Sequence, residues 1–147
     1  MDEKLQTLLN DQVNNEYGAA AIYTQLAYEM ANLSFPGMSA WFFKQAEEER
    51  EHAEKFAEHL LDRGYRVELE TIEVGAVKAA TPLDAFEASL EHEQKVSEQI
   101  REIVRTADSV GDLDSRALLN WFLDEQVEEE ASVSEVIDQL KLVGNDG

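Results

Sequence analysis

Glu49 and His52 stand three residues apart in QAEEEREHAEKF, a spacing that places both on one face of a helix. Glu16 precedes Glu49 by 33 residues, and Glu93 precedes Gln126 by the same 33. Glu16 to His52 is 36 residues, and so is Glu93 to Glu129. The chain therefore reads as two helical hairpins, each giving one lone acid and one pair spaced i, i+3. Packed with approximate two-fold symmetry, they would bring all six side chains to one level. Four carboxylates meeting in a core need compensation: two unit charges about 4 Å apart repel by about 4 kcal/mol even at an effective dielectric near 20. Desolvation adds a further penalty for each ion. Protons or bound cations must balance the cluster, because no Lys or Arg is expected to face inward at this level. Two divalent ions would balance four carboxylates, and a set rich in oxygen with one imidazole suits iron or manganese better than thiol-seeking metals. A single E-x-x-H would fit a polar layer that merely fixes helix register. The doubled spacing and the charge match favour a dimetal centre.

Positioning such a set requires long rods. Four stretches carry helical periodicity, at about residues 2–33, 38–63, 82–109 and 113–143. They are separated by Ser34-Phe35-Pro36-Gly37, by a segment at 65–81 without a helical stripe, and by Gly111-Asp112. Thr81 and Pro82 are a good N-cap and first helical residue. Helices of this length run about 40–48 Å at the usual rise. The first and last breaks are too short to travel that far, so helices one and two, and three and four, are expected to be antiparallel. The 65–81 segment can span up to about 55 Å when extended, enough to cross the whole bundle. The expected fold is all-α: a four-helix bundle with one long crossover between helices two and three, in a single domain.

The inward seams follow a spacing of three and four residues. Helix one gives Leu5, Leu9, Gln12, Glu16, Ala19, Tyr23, Leu26 and Met30. Helix two gives Phe42, Gln45, Glu49, His52, Phe56 and Leu60, while Glu47, Glu48 and Glu51 fall off the seam. Helix three gives Phe86, Ser89, Glu93, Val96, Ile100 and Ile103; helix four gives Leu119, Phe122, Gln126, Glu129, Val133, Val136 and Leu140. Each seam is apolar at its ends and polar near its middle. Gln12 and Gln45 also face inward, with no role evident from their spacing.

Composition narrows the partners. With 32 Asp+Glu against 12 Lys+Arg, the net charge of −20 argues against nucleic acid and anionic membranes and favours cations. An acidic coat for solubility is the plainer reading of the same charge. No cysteine is present, which excludes disulfides, zinc ribbons and iron–sulfur centres. MDEKLQTLLN lacks a signal-peptide pattern, and no apolar run is long enough to span a membrane. A soluble, cytoplasmic protein is expected.

The chain resembles a ferritin of the bacterial non-haem kind over nearly its whole length. The resemblance rests on NDQVNNEYGAAAIYTQLA, QAEEEREHAEKFAEHLLDRG, LEHEQKV and WFLDEQVEEE, one from each helix. It implies that Glu16, Glu49 and His52 bind a first iron, with Glu49 bridging, and that Glu93 and Glu129 bind a second. Gln126 would be a weak ligand or lie just behind the metals. Tyr23 and Trp121 match aromatic residues near such centres, although core packing explains either equally well. Glu48, Glu125 and Glu128 match a third iron site, where a solvated acidic face is the plainer alternative. The implied activity is ferroxidase: oxidation of Fe(II) by dioxygen or hydrogen peroxide, with Fe(III) stored as mineral in a hollow shell of 24 subunits. Leu33, Phe43 and Val67 lie off the seams and are candidates for subunit contacts.

Departures separate this chain from other relatives. Bacterioferritins repeat E-x-x-H in helix four, where this chain has Gln126-Val127-Glu128-Glu129, and their haem-binding methionine would fall at Arg50; no haem is expected. Rubrerythrins add a cysteine-bearing module, and mini-ferritins place histidines in the first helix. Typical ferritins continue into a short fifth helix lining a four-fold channel. This sequence stops at GNDG, so that helix is expected to be absent or truncated. The competing functions are a dimetal oxidase or catalase without storage, and a helical scaffold with a polar layer.

Overall fold

The computed structural model describes residues 1–146, and the expectation about a fifth helix lies outside the described residues. Four long helices account for the fold: α1 (Glu3–Asn32), α2 (Pro36–Asp62), α3 (Pro82–Val110) and α4 (Arg116–Asp146). A 3-10 turn at Leu113–Ser115 leads into α4, where the sequence suggested a helix already under way at 113. There is no strand among the described residues.

Local chemistry sets the boundaries. Asp2 caps α1 by accepting from the backbone N–H groups of Lys4 and Leu5 at 3.0 and 3.2 Å. Helix α2 begins two residues earlier than expected. Pro36 takes the first helical position, where its missing N–H costs nothing, and Gly37 is absorbed into the first turn. The break is therefore made by Ser34, which adopts the left-handed conformation at φ 67°. Gly64 ends α2 at φ 85° and Gly111 ends α3 at φ 68°, as residues without a Cβ readily do. Thr81 Oγ1 accepts from Asp84 N at 3.1 Å to open α3.

Two hydrophobic cores give the helix directions. One gathers Leu5 and Leu9 from the start of α1, Leu60 from the end of α2, Ile103 from the end of α3 and Leu119 from the start of α4. The other gathers Met30, Phe42, Phe86 and Ile137 from the opposite ends. Helices α1 and α2 are thus antiparallel, α3 and α4 likewise, and α2 runs parallel to α3. The crossover travels along α1, with Tyr65 and Val67 against the first core and Val77 and Ala79 against the second. Asn10 and Asn14 hold it in place: both side chains donate to Glu68 O, and they accept from the backbone N–H groups of Glu68 and Glu70. Phe56 and Phe122 stack at 4.1 Å across the first core. Cutting such a buried ring to alanine costs about 3–5 kcal/mol.

The seams of α1, α2 and α3 are buried at every expected position. In α4 the seam holds to Val133 and then steps four residues to Ile137; Val136 and Leu140 are only partly buried. An α-helix has 3.6 residues per turn, so a 3.5-residue pattern drifts off the core face along a long straight helix. Of the residues suggested for subunit contacts, Phe43 is exposed and meets Tyr28 edge-on at 5.2 Å. Leu33 and Val67 instead pack partly against the two cores. Among the described residues no helix is long and apolar enough to cross a membrane.

Candidate metal centre

Between the two cores lies one polar layer, built by all four helices. Glu16, Glu49, His52, Glu93, Gln126 and Glu129 are each at most 6% exposed. One ligand atom each from Glu16, Glu49 and His52 lies within 4.8 Å of the others, and the same holds for Glu49, Glu93 and Glu129. Glu49 is common to both groups, and its two oxygens have different partners. Oε2 faces His52 Nδ1 at 3.3 Å, whereas Oε1 accepts from Gln45 on the side of Glu129. No lysine or arginine is among the buried residues described. Glu16 Oε2 is buried without a hydrogen-bond partner, and His52 Nδ1 stands 3.8 Å from it. A buried carboxylate oxygen left in this state costs free energy that a cation between these groups would recover.

Burial, together with neighbouring acids, distorts the acid–base chemistry. Glu49 is pushed up to about 7, first by burial and then by the charge of Glu16. Glu93 is pushed to about 8, again by burial first and then by Glu49. Glu129 is raised by burial and by Glu93 and Glu49. For His52, burial favours the neutral ring, but the adjacent carboxylates of Glu16 and Glu49 outweigh it and raise the imidazole to about 11. Without metal, protons therefore occupy the places that cations would take.

Three neutral side chains orient Glu93. Tyr23 Oη donates to Glu93 Oε1 at 2.5 Å, and with that proton committed Ser89 Oγ donates to the phenol at 2.9 Å. Tyr23 is fully buried, and burial together with Glu93 raises its pKa well above the usual phenol value, which keeps it a donor. Gln126 turns its amide nitrogen to Glu93 Oε2 at 3.2 Å, Glu93 O at 3.1 Å and Ser97 Oγ at 3.1 Å. Tyr23→Phe is expected to weaken metal binding by this group roughly 10-fold, as loss of a partner that orients a ligand does. Co(II) titration of the variant, compared with its circular dichroism, checks this.

The outer acids are arranged less simply than the family resemblance implied. Glu48, Glu125 and Glu128 line one pocket of about 250 Å³ with Trp41, Lys44, Gln45, Glu129 and Ser132. Only Glu125 joins a convergent group, with His52 and Glu129. Glu48 is half-buried and its pKa is raised by burial, while Glu128 is exposed. Trp121 is 39% exposed; its ring meets His52 edge-on at 5.6 Å and carries Lys55 Nζ at 4.3 Å on its face. The spacing gave no sign of what Gln45, Ser89 and Ser97 do. For Gln45 and Ser89 the available signal was a polar residue on a seam one turn from a buried acid; Ser97 lies beside its seam and carried no such signal.

A four-helix bundle with one long crossover and buried carboxylates converging from all four helices is the architecture of the ferritin-like class. The ferritin-like domain family matches residues 6–143. The bacterial non-heme ferritin of Staphylococcus epidermidis is 36% identical over 99% of this chain and 88% of its own length; that of Staphylococcus aureus is likewise 36% identical over the same shares. An open-pore ferritin from Archaeoglobus fulgidus superposes with a TM-score of 0.96 at 36% identity, covering 99% of this chain and 89% of that one. The chain belongs to the ferritin family.

Proposed function

We propose that this ferritin oxidises Fe(II) between its four helices and stores the product as ferric mineral inside a hollow shell of 24 copies in the cytoplasm. The observation that carries this reading is the unpartnered Glu16 Oε2 in a buried layer of four acids with no buried lysine or arginine described to balance them. Glu16, Glu49 Oε2 and His52 hold one iron; Glu49 Oε1, Glu93 and Glu129 hold the other. Each Fe(II) gives up one electron. Dioxygen takes the two electrons and two protons to become hydrogen peroxide, or peroxide takes the same to become two waters. Carboxylates are hard ligands and favour the Fe(III) product. The acidic pocket of Glu48, Glu125 and Glu128 opens beside the centre and suits a third iron on its way in or out. Exposed Tyr28 and Phe43 offer apolar surface for subunit contact.

The test adds ferrous salt to metal-free protein while following ferric absorbance and native mass. Rapid oxidation of about two irons per chain, then mineral growth inside a large assembly, is the expected result. Oxidation without mineral growth would replace storage with a dimetal oxidase, and no uptake would leave only a structural polar layer.

A further inference from the structure

We propose that Gln45 is the positioning residue of the second iron site, the one made by Glu49, Glu93 and Glu129. The inference rests on the two-iron reading above. Gln45 sits one helical turn before Glu49 and is 6% exposed. Its Nε2 carries two N–H donors and spends them on two acids from different helices: Glu49 Oε1 at 3.1 Å and Glu129 Oε2 at 2.5 Å. The contact with Glu129 is the one side-chain hydrogen bond between α2 and α4 among the described residues. It therefore fixes how far the acid of one hairpin stands from the bridging acid of the other. A carboxylate oxygen accepts a hydrogen bond on one lone pair and binds a cation with the other, so the clamp can persist when metal enters.

Gln12 supplies the internal comparison. It occupies the same place relative to Glu16 that Gln45 occupies relative to Glu49. Its Nε2 donates to Glu16 Oε1 at 3.1 Å, but its second contact is Gln99 Oε1 at 3.3 Å, which belongs to neither metal group. Gln12 steadies a single ligand of the first site, whereas Gln45 joins two ligands of the second. The oxygen of Glu49 that Gln45 grips is also not the one facing His52, so its influence falls on one site and not on both.

Titration calorimetry with Zn(II), which undergoes no redox chemistry, separates the sites on intact protein, and Co(II) absorption reports their geometry. Gln45→Met keeps the length and removes the donors. It is expected to weaken the second binding event by about 10-fold or more while leaving the first within about 2-fold, the scale of effect for a group that orients a ligand. The Co(II) spectrum of the second site should change with it. Gln12→Met is expected to weaken the first event instead. Equal weakening of both events by Gln45→Met, or no change in either, would overturn the proposal. Gln45→Leu, of similar volume, repeats the measurement should Met disturb folding. If the parent protein itself bound no pair of ions, the two-iron reading would fall; if it bound two and Gln45→Met did the same, only the role of Gln45 would.

Discussion

Glu49→Ala is expected to slow Fe(II) oxidation by at least about 100-fold, beyond what loss of a merely orienting partner costs, with helical content unchanged. Glu49 is the one acid common to the two buried groups, so its removal would take a ligand from both proposed sites at once. It is also the carboxylate that ties His52 on one side to Gln45 on the other. His52→Ala would take a ligand from the proposed first site and from the outer group with Glu125, and should also slow oxidation strongly. Stability is expected to move the other way. In the metal-free protein Glu49 titrates near 7 because burial and Glu16 oppose its charge. Glu49→Gln keeps the volume without the charge, so at pH 8 it should stabilise the metal-free fold by about 1 kcal/mol, part of the linkage that such a raised pKa implies. Thermal melting of metal-free protein reads this directly. Parent-like oxidation by both Glu49→Ala and His52→Ala would refute the site assignment.

The bundle was legible because its causes are local. Helical periodicity marks the rods, Ser34 to Pro36 and Gly111 leave no length for anything but tight returns, and the polar residues on each seam fall at matching heights. The structure brings Glu16, Glu49, His52, Glu93 and Glu129 together for that reason: a seam position fixes which way a side chain faces. Seam position does not fix which atom of a neighbouring helix a long side chain reaches. Gln45, Gln12 and Gln126 were therefore visible as inward amides but not as donors to particular carboxylates. The same limit applies to the outer acids, where the family resemblance grouped Glu48, Glu125 and Glu128 but distance groups Glu125 with His52 and Glu129. The crossover was harder still. Its register on α1 depends on Asn10 and Asn14 mimicking a strand edge with their amides, which no periodicity announces.

Metal loading at pH 7 is expected to release roughly three protons per pair of ions, because ligands must be deprotonated to bind. Glu93 titrates near 8 and Glu129 is raised as well, so both are largely protonated at pH 7 before metal enters. Glu49, near 7, contributes about half a proton, and His52, held protonated up to about 11, contributes one more when its ring becomes a ligand. The sign for stability follows from the same shifts. Carboxyls whose folded pKa lies above the unfolded value bind more protons in the folded state. Their contribution to metal-free stability is complete below the ordinary carboxylate range and is lost as pH rises through about 7 and 8. His52 acts in the same sense: its contribution is complete below the ordinary imidazole value and is lost progressively as pH rises toward about 11. Metal affinity should therefore climb with pH across the range in which metal-free stability falls, since the acids then need not shed protons to bind. Zn(II) calorimetry in buffers of different ionisation enthalpy counts the protons, and the number should drop toward one near pH 10. A count near zero at pH 7 would mean that the four acids are already ionised and balanced by something other than protons.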